Sequence, residues 1–345
     1  MNIIAQIQAL QQRPKKSRPP EPWEMLEEEL AEALALYWST ATKILQGSEV
    51  RLLNPTDGFF FLENNFFSAL FLYSYHRCGI ARSRRVLYAA INQCLRGMVT
   101  GCDNILDDEY KKTLETDLPE EGVRFRSIVD IMVSDRVLFE VLFDGLQDAK
   151  LNGQEVLAAS AASLRTLVQS GAQEASEEGG IQRVLKPQQI LQSVHHYKTG
   201  LLFQCPWTIP LIIESIPPTT VDFLREALYN IGMGCQIMDD MVDLASDFHK
   251  KRHNYVLALI YHDSDPGEWT RLESRLAKPN PRRKAQTDLL RQFPRAQTAA
   301  QKTARRFLNK GLRGLLDERH HFMVDSAMSF LAERIGSHRM MADKQ

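Results

Sequence analysis

The sequence has almost no surplus charge, because 42 Lys and Arg residues balance 43 Asp and Glu residues over 345 positions. A near-neutral protein has no overall field to attract nucleic acid or an anionic membrane surface. Apolar runs long enough to cross a bilayer are missing, and Met1–Ile7 is not a basic leader followed by a long apolar core. We therefore expect no nucleic-acid partner, no integral membrane segment and a cytoplasmic location.

Cysteine is also scarce, and its pattern excludes two classes of site. The five cysteines are odd in number, scattered and without CxxC spacing, which argues against a disulfide framework or a zinc site and for reduced thiols. The sequence has no GxGxxG nucleotide-binding motif and no runs of alternating Val, Ile and Thr typical of strands.

Helical periodicity fills most of the chain instead. Long amphipathic or apolar segments are predicted at 84–106, 127–148, 153–173 and 223–245, with Thr219 or Thr220 as the N-cap of the last one. Residues 1–22, rich in proline and charge towards their end, are interpreted as a flexible arm. Residues 23–340 are then expected to form a single all-α domain of long helices.

The most informative segment is an aspartate cluster at the end of the helix predicted over 223–245. Gln236, Asp240, Asp243 and Asp247 form a polar stripe in an otherwise apolar helix, and Asp239 and Asp243 lie one turn apart. Aspartate is a poor helix former, so such a concentration of it needs a reason. Carboxylates placed in this way suit Mg²⁺, which completes its shell with water and phosphate oxygens.

A second acidic pair, Asp103 and Asp107, ends the helix predicted over 84–106 and precedes Lys111 and Lys112. Taken alone, this pair is better explained as an acidic helix end followed by solvated lysines. Together, the two clusters suggest that several Mg²⁺ ions bind a diphosphate between two helices.

Two basic segments accompany the clusters. Lys198, followed by Thr199 and a glycine, lies between them in sequence, and a lysine there could reach a diphosphate. Lys251 and Arg252 follow the aspartate stripe and could close over a phosphate, although a solvated loop explains them as well.

In order and spacing, these elements resemble the motifs of the trans-isoprenyl diphosphate synthase superfamily, the all-helical class I terpenoid synthases. The resemblance extends over roughly residues 60 to 265. Gln236, Asp239, Asp240 and Asp243 resemble the family's second motif, and Lys198-Thr199 its lysine-threonine element. The first motif, DDxxD, is similar to the stretch from Asp103 to Asp107. It has Asn104 at its second position, and Lys111 and Lys112 stand one residue out of phase with the family's basic pair.

The resemblance implies a bundle of mostly antiparallel helices around a central apolar cavity, a homodimer, and a prenyl diphosphate substrate bound with Mg²⁺. It assigns metal binding to Asp103, Asp107, Asp239, Asp240 and Asp243. Catalytic roles are predicted for Lys198, Lys112 and Gln236. Diphosphate binding is predicted for Lys111, Lys112, Lys198 and Thr199 and, from their position after the aspartates, for Lys251 and Arg252. The aromatic candidates for stabilising a carbocation in the cavity are Phe66, Phe67, Phe71, Tyr75, Phe139 and Phe203.

One departure from the family pattern directs the functional prediction. Chain-elongating members carry a Gly-Lys-Arg element about forty residues before the first motif, which helps to hold isopentenyl diphosphate. The corresponding stretch, Glu63–Ser68, has no basic residue. The leading hypothesis is therefore a terpene synthase that ionises an allylic diphosphate of C15–C20 or longer and cyclises or deprotonates the cation. The alternatives are a trans-prenyltransferase that adds isopentenyl diphosphate and, since Asn104 departs from the motif, a non-catalytic subunit.

Overall fold

The computed structural model describes residues 22–341 except 57, 149–150 and 278–288. Within this part of the chain the regular structure is helical, without a strand, and only Leu52 and Thr116 form an isolated antiparallel bridge. The all-α prediction is confirmed. The arm predicted over 1–22 lies, apart from Pro22, outside the described residues.

The helices are long in both halves of the chain and are numbered here in chain order. Their bounds are α1 Trp23–Leu45, α2 Phe66–Arg77, α3 Arg82–Asp107, α4 Val123–Gln147, α5 Gly153–Ala175, α6 Thr208–Ile213, α7 Pro218–Val242, α8 Leu244–Lys250, α9 Tyr255–His262, α10 Pro266–Leu276, α11 Pro294–Leu315, α12 Val324–Ile335 and α13 His338–Met341. None of these described helices is both long and apolar enough to cross a bilayer.

The chain forms two compact units. The first comprises residues up to Leu167 together with Pro206–Pro218, and the second comprises Val168–Cys205 and the residues from Thr219 onwards. The single domain expected over 23–340 stays a prediction.

In the first unit, α3 is held by buried polar contacts as well as by apolar packing. Arg85 of α3 donates through Nε to Glu29 Oε2 of α1 at 2.8 Å, inside the core. Gly97 lets α4 approach closely, because a Cβ there would lie 2.1 Å from Ser134 Oγ. These contacts fix the helix that carries the first acidic pair.

In the second unit, α7 carries Gln236, Asp239 and Asp240 and packs closely on α11. A Cβ on Gly234 would lie 2.6 Å from Leu308, so the small residue permits the approach. The helix begins at Pro218, one residue before Thr219, so the predicted threonine N-cap is wrong. Proline suits a first helical position because its missing N–H would have no partner there.

A long π-helical segment precedes α6. It comprises Ile190–Val194 and His196–Gly200, with the wide hydrogen bond from Leu201 N–H to His196 O at 2.9 Å. The π-helix is rare, occurs mostly as single turns inside α-helices and is frequent at functional sites. This segment carries the lysine-threonine element.

Candidate diphosphate and metal site

Asp239, Asp243 and Asp247 keep their one-turn spacing across the junction between α7 and α8. Although α7 ends at Val242, the backbone N–H of Asp243 donates to Asp239 O at 2.8 Å, and that of Asp247 donates to Asp243 O at 2.9 Å. The three aspartates are therefore stacked one turn apart, with Asp239 exposed and the other two half-buried. Burial raises the pKa of Asp247 well above its usual range, and the nearby carboxylates of Asp240 and Asp243 add to this effect. Acidic side chains are thus crowded along the stripe.

Asp240 differs from its neighbours because its carboxylate is enclosed by the protein. Oδ1 accepts a hydrogen bond from Gln236 Nε2 at 3.1 Å. Oδ2 accepts from the backbone N–H of Tyr255 at 2.5 Å and lies 3.0 Å from His195 Nε2. Both oxygens are engaged internally, so the metal-binding prediction is better supported for Asp239 and Asp243 than for Asp240.

Asn254, which is not part of any predicted motif, joins the acidic helices to α9. Its Nδ2 donates to Asp240 O and to Asp247 Oδ2, each at 2.8 Å. Its Oδ1 accepts from the backbone N–H of Val256 at 2.8 Å and so caps α9. Asparagine directly before an apolar run is an N-cap signature, so the sequence did carry a signal for this residue.

The lysine-threonine element meets the stripe through Gln236. Thr199 Oγ1 donates to Gln236 Oε1, and Gln236 in turn donates to Asp240. Gln236 is buried, so its contacts make it a link that positions other groups. The catalytic role predicted for it stays a prediction.

Lys198 lies within electrostatic reach of the stripe. Burial lowers the pKa of its ammonium, but the carboxylate of Glu174, with those of Asp247 and Asp239, outweighs burial and raises that pKa above its ordinary value. Lys198 Nζ lies 2.7 Å from Glu174 Oε1. The structure thus brings together one predicted diphosphate ligand and two of the aspartates, and adds a glutamate that sequence reasoning missed.

The two basic residues after α8 have different environments. Arg252 Nη1 lies 3.5 Å from Glu174 Oε2, so Arg252 shares a partner with Lys198. Lys251 is exposed and has a left-handed backbone with φ of 52°, and its carbonyl accepts from Ile181 N–H at 2.8 Å. Arg252 therefore belongs to the candidate site by contact, whereas the role of Lys251 stays a prediction.

In the first unit, Asp103 and Asp107 are half-buried on α3, and Asn104 between them has a structural role. Asn104 is 1% exposed. Its Nδ2 donates to Lys111 O at 3.0 Å and its Oδ1 accepts from Lys111 N–H at 2.8 Å. An ionised carboxylate accepts but cannot donate, so the asparagine is explained by this two-way bond to the following loop.

The lysines of that loop are exposed and have local partners. Lys111 Nζ lies 2.5 Å from Glu109 Oε1, and Lys112 Nζ lies 2.9 Å from Glu115 Oε2. Diphosphate binding by Lys111 and Lys112, and the catalytic role of Lys112, stay predictions.

The stretch without a basic residue, Glu63–Ser68, nevertheless has a cation beside it. Arg96 of α3 donates through Nη1 to Asn65 Oδ1 at 3.0 Å. Asn65 is buried and is itself fixed, because its Nδ2 donates to Phe59 O at 2.6 Å and Phe61 O at 3.0 Å. Arg96 and Asp103 are seven residues apart and so lie on one face of α3. A search of the local sequence missed this guanidinium because it comes from another helix.

The aromatic candidates do not share one environment. Tyr75 is buried and donates to Pro206 O at 2.6 Å, and Phe203 packs where Gly232 leaves room for its ring. Phe139 is 54% exposed and stacks on Phe143 with ring centroids 6.1 Å apart. The prediction that Phe139 lines an enclosed cavity is therefore wrong.

The donor set fits Mg²⁺ bound together with substrate. Among the described residues, no three His, Cys, Asp or Glu side chains form a ready-made metal-binding group. Mg²⁺ does not need one, because it commonly takes one or two carboxylates and fills its octahedron with water and phosphate oxygens. Asp239 and Asp243 offer two such carboxylates one turn apart, on a stripe whose negative charge a cation would relieve. That one diphosphate bridges both acidic clusters stays a prediction.

The comparisons with known proteins concern the family and the fold of the chain. Residues 131–256 match the polyprenyl synthetase family model. No functionally curated protein sequence matches the chain. Geranylgeranyl pyrophosphate synthetase from Pyrococcus horikoshii has a similar structure, with a TM-score of 0.60, 16% identity and coverage of 91% of this chain and 100% of its own.

Two further solved structures are similar over comparable lengths. Decaprenyl diphosphate synthase from Rhodobacter capsulatus has a TM-score of 0.60 at 18% identity, covering 90% of this chain and 99% of its own. Polyprenyl synthase from Caulobacter crescentus, complexed with calcium and isoprenyl diphosphate, has a TM-score of 0.60 at 14% identity, covering 93% and 96%. The resemblance seen in the motifs is confirmed: the chain has the fold of the trans-isoprenyl diphosphate synthase superfamily, and its residues 131–256 match the polyprenyl synthetase family.

Proposed function

We propose that the protein is a Mg²⁺-dependent trans-prenyltransferase, which ionises an allylic prenyl diphosphate and joins the allylic group to isopentenyl diphosphate. The family match and the similar structures support this alternative over the terpene synthase that the sequence favoured. The observation that carries the proposal is the position of Lys198, which is close enough to Asp239 and Asp247 for their carboxylates to raise the pKa of its ammonium and which shares Glu174 with Arg252. The isoprenyl diphosphate and calcium bound by the Caulobacter crescentus protein support both the substrate class and the use of a divalent ion.

Residues of the second unit would bind the diphosphate leaving group in two ways, through Mg²⁺ and through hydrogen bonds. Asp239 and Asp243 would hold Mg²⁺, which supplies charge neutralisation of the departing diphosphate. Lys198 and Arg252 would donate hydrogen bonds to diphosphate oxygens that gain charge as the carbon–oxygen bond breaks. Gln236 and Asn254 keep the lysine-threonine element and the stripe in register through the contacts described above.

Arg96 provides the positive charge that a second substrate needs and that Glu63–Ser68 lacks. An acceptor diphosphate needs a cation, and Arg96, oriented by the fixed Asn65, supplies one beside Glu63–Ser68. Asp103 and Asp107 lie on the same helix and are proposed as further metal ligands.

Product analysis separates the candidate functions. The protein is incubated with Mg²⁺ and farnesyl or geranylgeranyl diphosphate, with and without isopentenyl diphosphate. Longer prenyl diphosphates that form only when isopentenyl diphosphate is present are the expected result. A hydrocarbon released without it would show a terpene synthase, and no turnover under either condition would favour a non-catalytic subunit.

The metal assignment predicts the effect of removing two carboxylates. Asp239→Ala combined with Asp243→Ala should lower the rate of diphosphate release by about a thousandfold or more, equivalent to ~4 kcal/mol of lost stabilisation. Asp325→Ala is the control, since Asp325 is an exposed carboxylate of α12 in the same unit. A double variant with full activity would show that Asp239 and Asp243 are not the metal ligands.

A homodimer and a cytoplasmic location complete the proposal. One face of α4 carries an apolar stripe, hereafter the α4 stripe, whose side chains are 40–62% exposed: Phe125, Ile128, Met132, Phe139 and Phe143. Exposed apolar patches of this kind mark interaction sites, and we assign this one to a second copy of the chain. The free thiols of all five cysteines support a reducing compartment.

A further inference from the structure

The last turn of α5 places one carboxylate between the two cations of the candidate site. Glu174 Oε1 lies 2.7 Å from Lys198 Nζ, and Glu174 Oε2 lies 3.5 Å from Arg252 Nη1. The side chains of Glu174, Lys198 and Arg252 are only 13%, 29% and 11% exposed. Each oxygen of the carboxylate therefore serves a different cation, in a largely covered location.

The end of α5 is attached to both partners by more than this carboxylate. Ser170 Oγ of the same helix donates to Lys198 O at 2.8 Å. Glu177, which follows α5, accepts from the backbone N–H of His253 at 2.8 Å. Glu174 is therefore held in place against the π-helical segment and the loop after α8.

The carboxylate of Glu174 is shared by two cations. Lys198 and Arg252 contribute two positive charges and Glu174 one negative charge, and the carboxylates of Asp239 and Asp247 also act on Lys198. A partly buried cation is costly without a partner, and Glu174 reduces that cost when no substrate is bound. Glu174 thus already pairs with the cations that an incoming anion would bind.

We propose that Glu174 is an exchangeable counter-ion, which holds Lys198 and Arg252 in the empty enzyme and yields them to the substrate diphosphate. This inference rests on the proposed function of the site. Carboxylate and phosphate oxygens compete for the same ammonium and guanidinium donors, and a diphosphate brings more oxygens and more charge than one carboxylate. Glu174 therefore opposes weakly charged anions and, by returning to the cations, assists release of inorganic diphosphate.

The test measures binding of inorganic pyrophosphate in the presence of Mg²⁺ by isothermal titration calorimetry, without any turnover. Glu174→Gln removes the competing charge and keeps the side-chain size, so its Kd should fall about tenfold relative to the unmodified protein. Lys198→Ala should raise the Kd. A residue that only supports the fold would not tighten binding when it is removed.

Two further variants make the comparison specific. Glu178→Gln removes the same charge four residues further on, from an exposed position, and should change the Kd by less than about twofold. Glu174→Asp keeps the charge but shortens its reach, so its Kd should fall by a smaller factor than in Glu174→Gln. This variant also provides the test if Glu174→Gln does not fold.

The outcomes separate the inference from the function on which it rests. Lys198→Ala weakening the binding while Glu174→Gln and Glu174→Asp leave it unchanged or weaken it would overturn the counter-ion role and leave the proposed function standing. Pyrophosphate that binds the unmodified protein and Lys198→Ala equally well would overturn the proposed site itself. Thermal unfolding gives an independent measure: Glu174→Gln should have a lower Tm without pyrophosphate and a larger rise in Tm with it.

Discussion

At the scale of single residues, the departures from the family motif have local physical causes. Asn104 replaces an acid because its amide both donates to and accepts from the backbone of Lys111, which fixes the loop after α3. Asn104→Asp would restore the motif but would leave Lys111 O without its donor and bury a charge. We expect it to lower the free energy of unfolding by about 2–3 kcal/mol, measured by urea denaturation, and not to raise activity.

Asn309→Asp is the matched control for this change. Within the described part of the chain, the Asn309 side chain makes its hydrogen bond through the acceptor oxygen, which takes it from Arg313 Nε at 3.0 Å, and a carboxylate accepts equally well. Its free energy of unfolding should stay within about 0.5 kcal/mol of the unmodified protein. If Asn104→Asp were as stable as this control, the loop contact would not explain the asparagine.

Residue types in the candidate site were more predictable than their partners. The spacing of Asp239 and Asp243 follows from helix geometry alone, and their stacking continues across the α7–α8 junction. The enclosure of Asp240 by Tyr255 and His195, and the pairing of Lys198 with Glu174, depend on residues 15 to 45 positions away in sequence. Short motifs hold no information on such contacts, because tertiary packing determines them.

At the scale of secondary-structure elements, the π-helical segment packs closely against α7 where Gly200 meets Tyr229. A Cβ on Gly200 would lie 2.4 Å from Tyr229 Cε2, and the Tyr229 hydroxyl is held 3.0 Å from His196 Nδ1. The ring has little freedom to move away. Gly200→Ala should therefore lower the free energy of unfolding by about 1–3 kcal/mol through overpacking, as measured by chemical denaturation.

Two variants check this explanation. Gly171 of α5 has open space around its Cβ position, so Gly171→Ala should be neutral or stabilising by up to about 1 kcal/mol. In a Tyr229→Ser variant the clash is absent, so adding Gly200→Ala to it should no longer lower the free energy of unfolding. Equal losses at Gly171 and Gly200 would mean that helix propensity, rather than packing against Tyr229, determines the effect.

Most long helices could be located from periodicity, whereas irregular ones could not. The helix predicted over 84–106 is observed as Arg82–Asp107, because a sustained amphipathic pattern determines it. The π-helical turns are a different case. The segment packs closely on Tyr229 at Gly200, and its sequence pattern resembles that of an ordinary helix.

At the scale of the whole molecule, the all-α class follows from composition and pattern, but its internal organisation does not. The chain passes from the first unit to the second, returns for Pro206–Pro218 and leaves again. Such a crossing has no composition shift or linker to mark it, because both units are built from similar amphipathic helices. The prediction of one domain over 23–340 rested on the helical pattern along that stretch, and it stays a prediction.

The proposed homodimer predicts the effect of placing a charge in the α4 stripe. Met132 lies in the middle of the α4 stripe and is 62% exposed. Met132→Glu places a charge among apolar side chains that a second copy would cover, so it should weaken a homodimer by about a hundredfold or more. Sedimentation velocity over a range of concentrations measures this change. Asp144→Ala, which removes an exposed charge from the last turn of α4, should leave association unaltered. If both variants sediment as the unmodified protein does, the α4 stripe is not the surface through which copies associate.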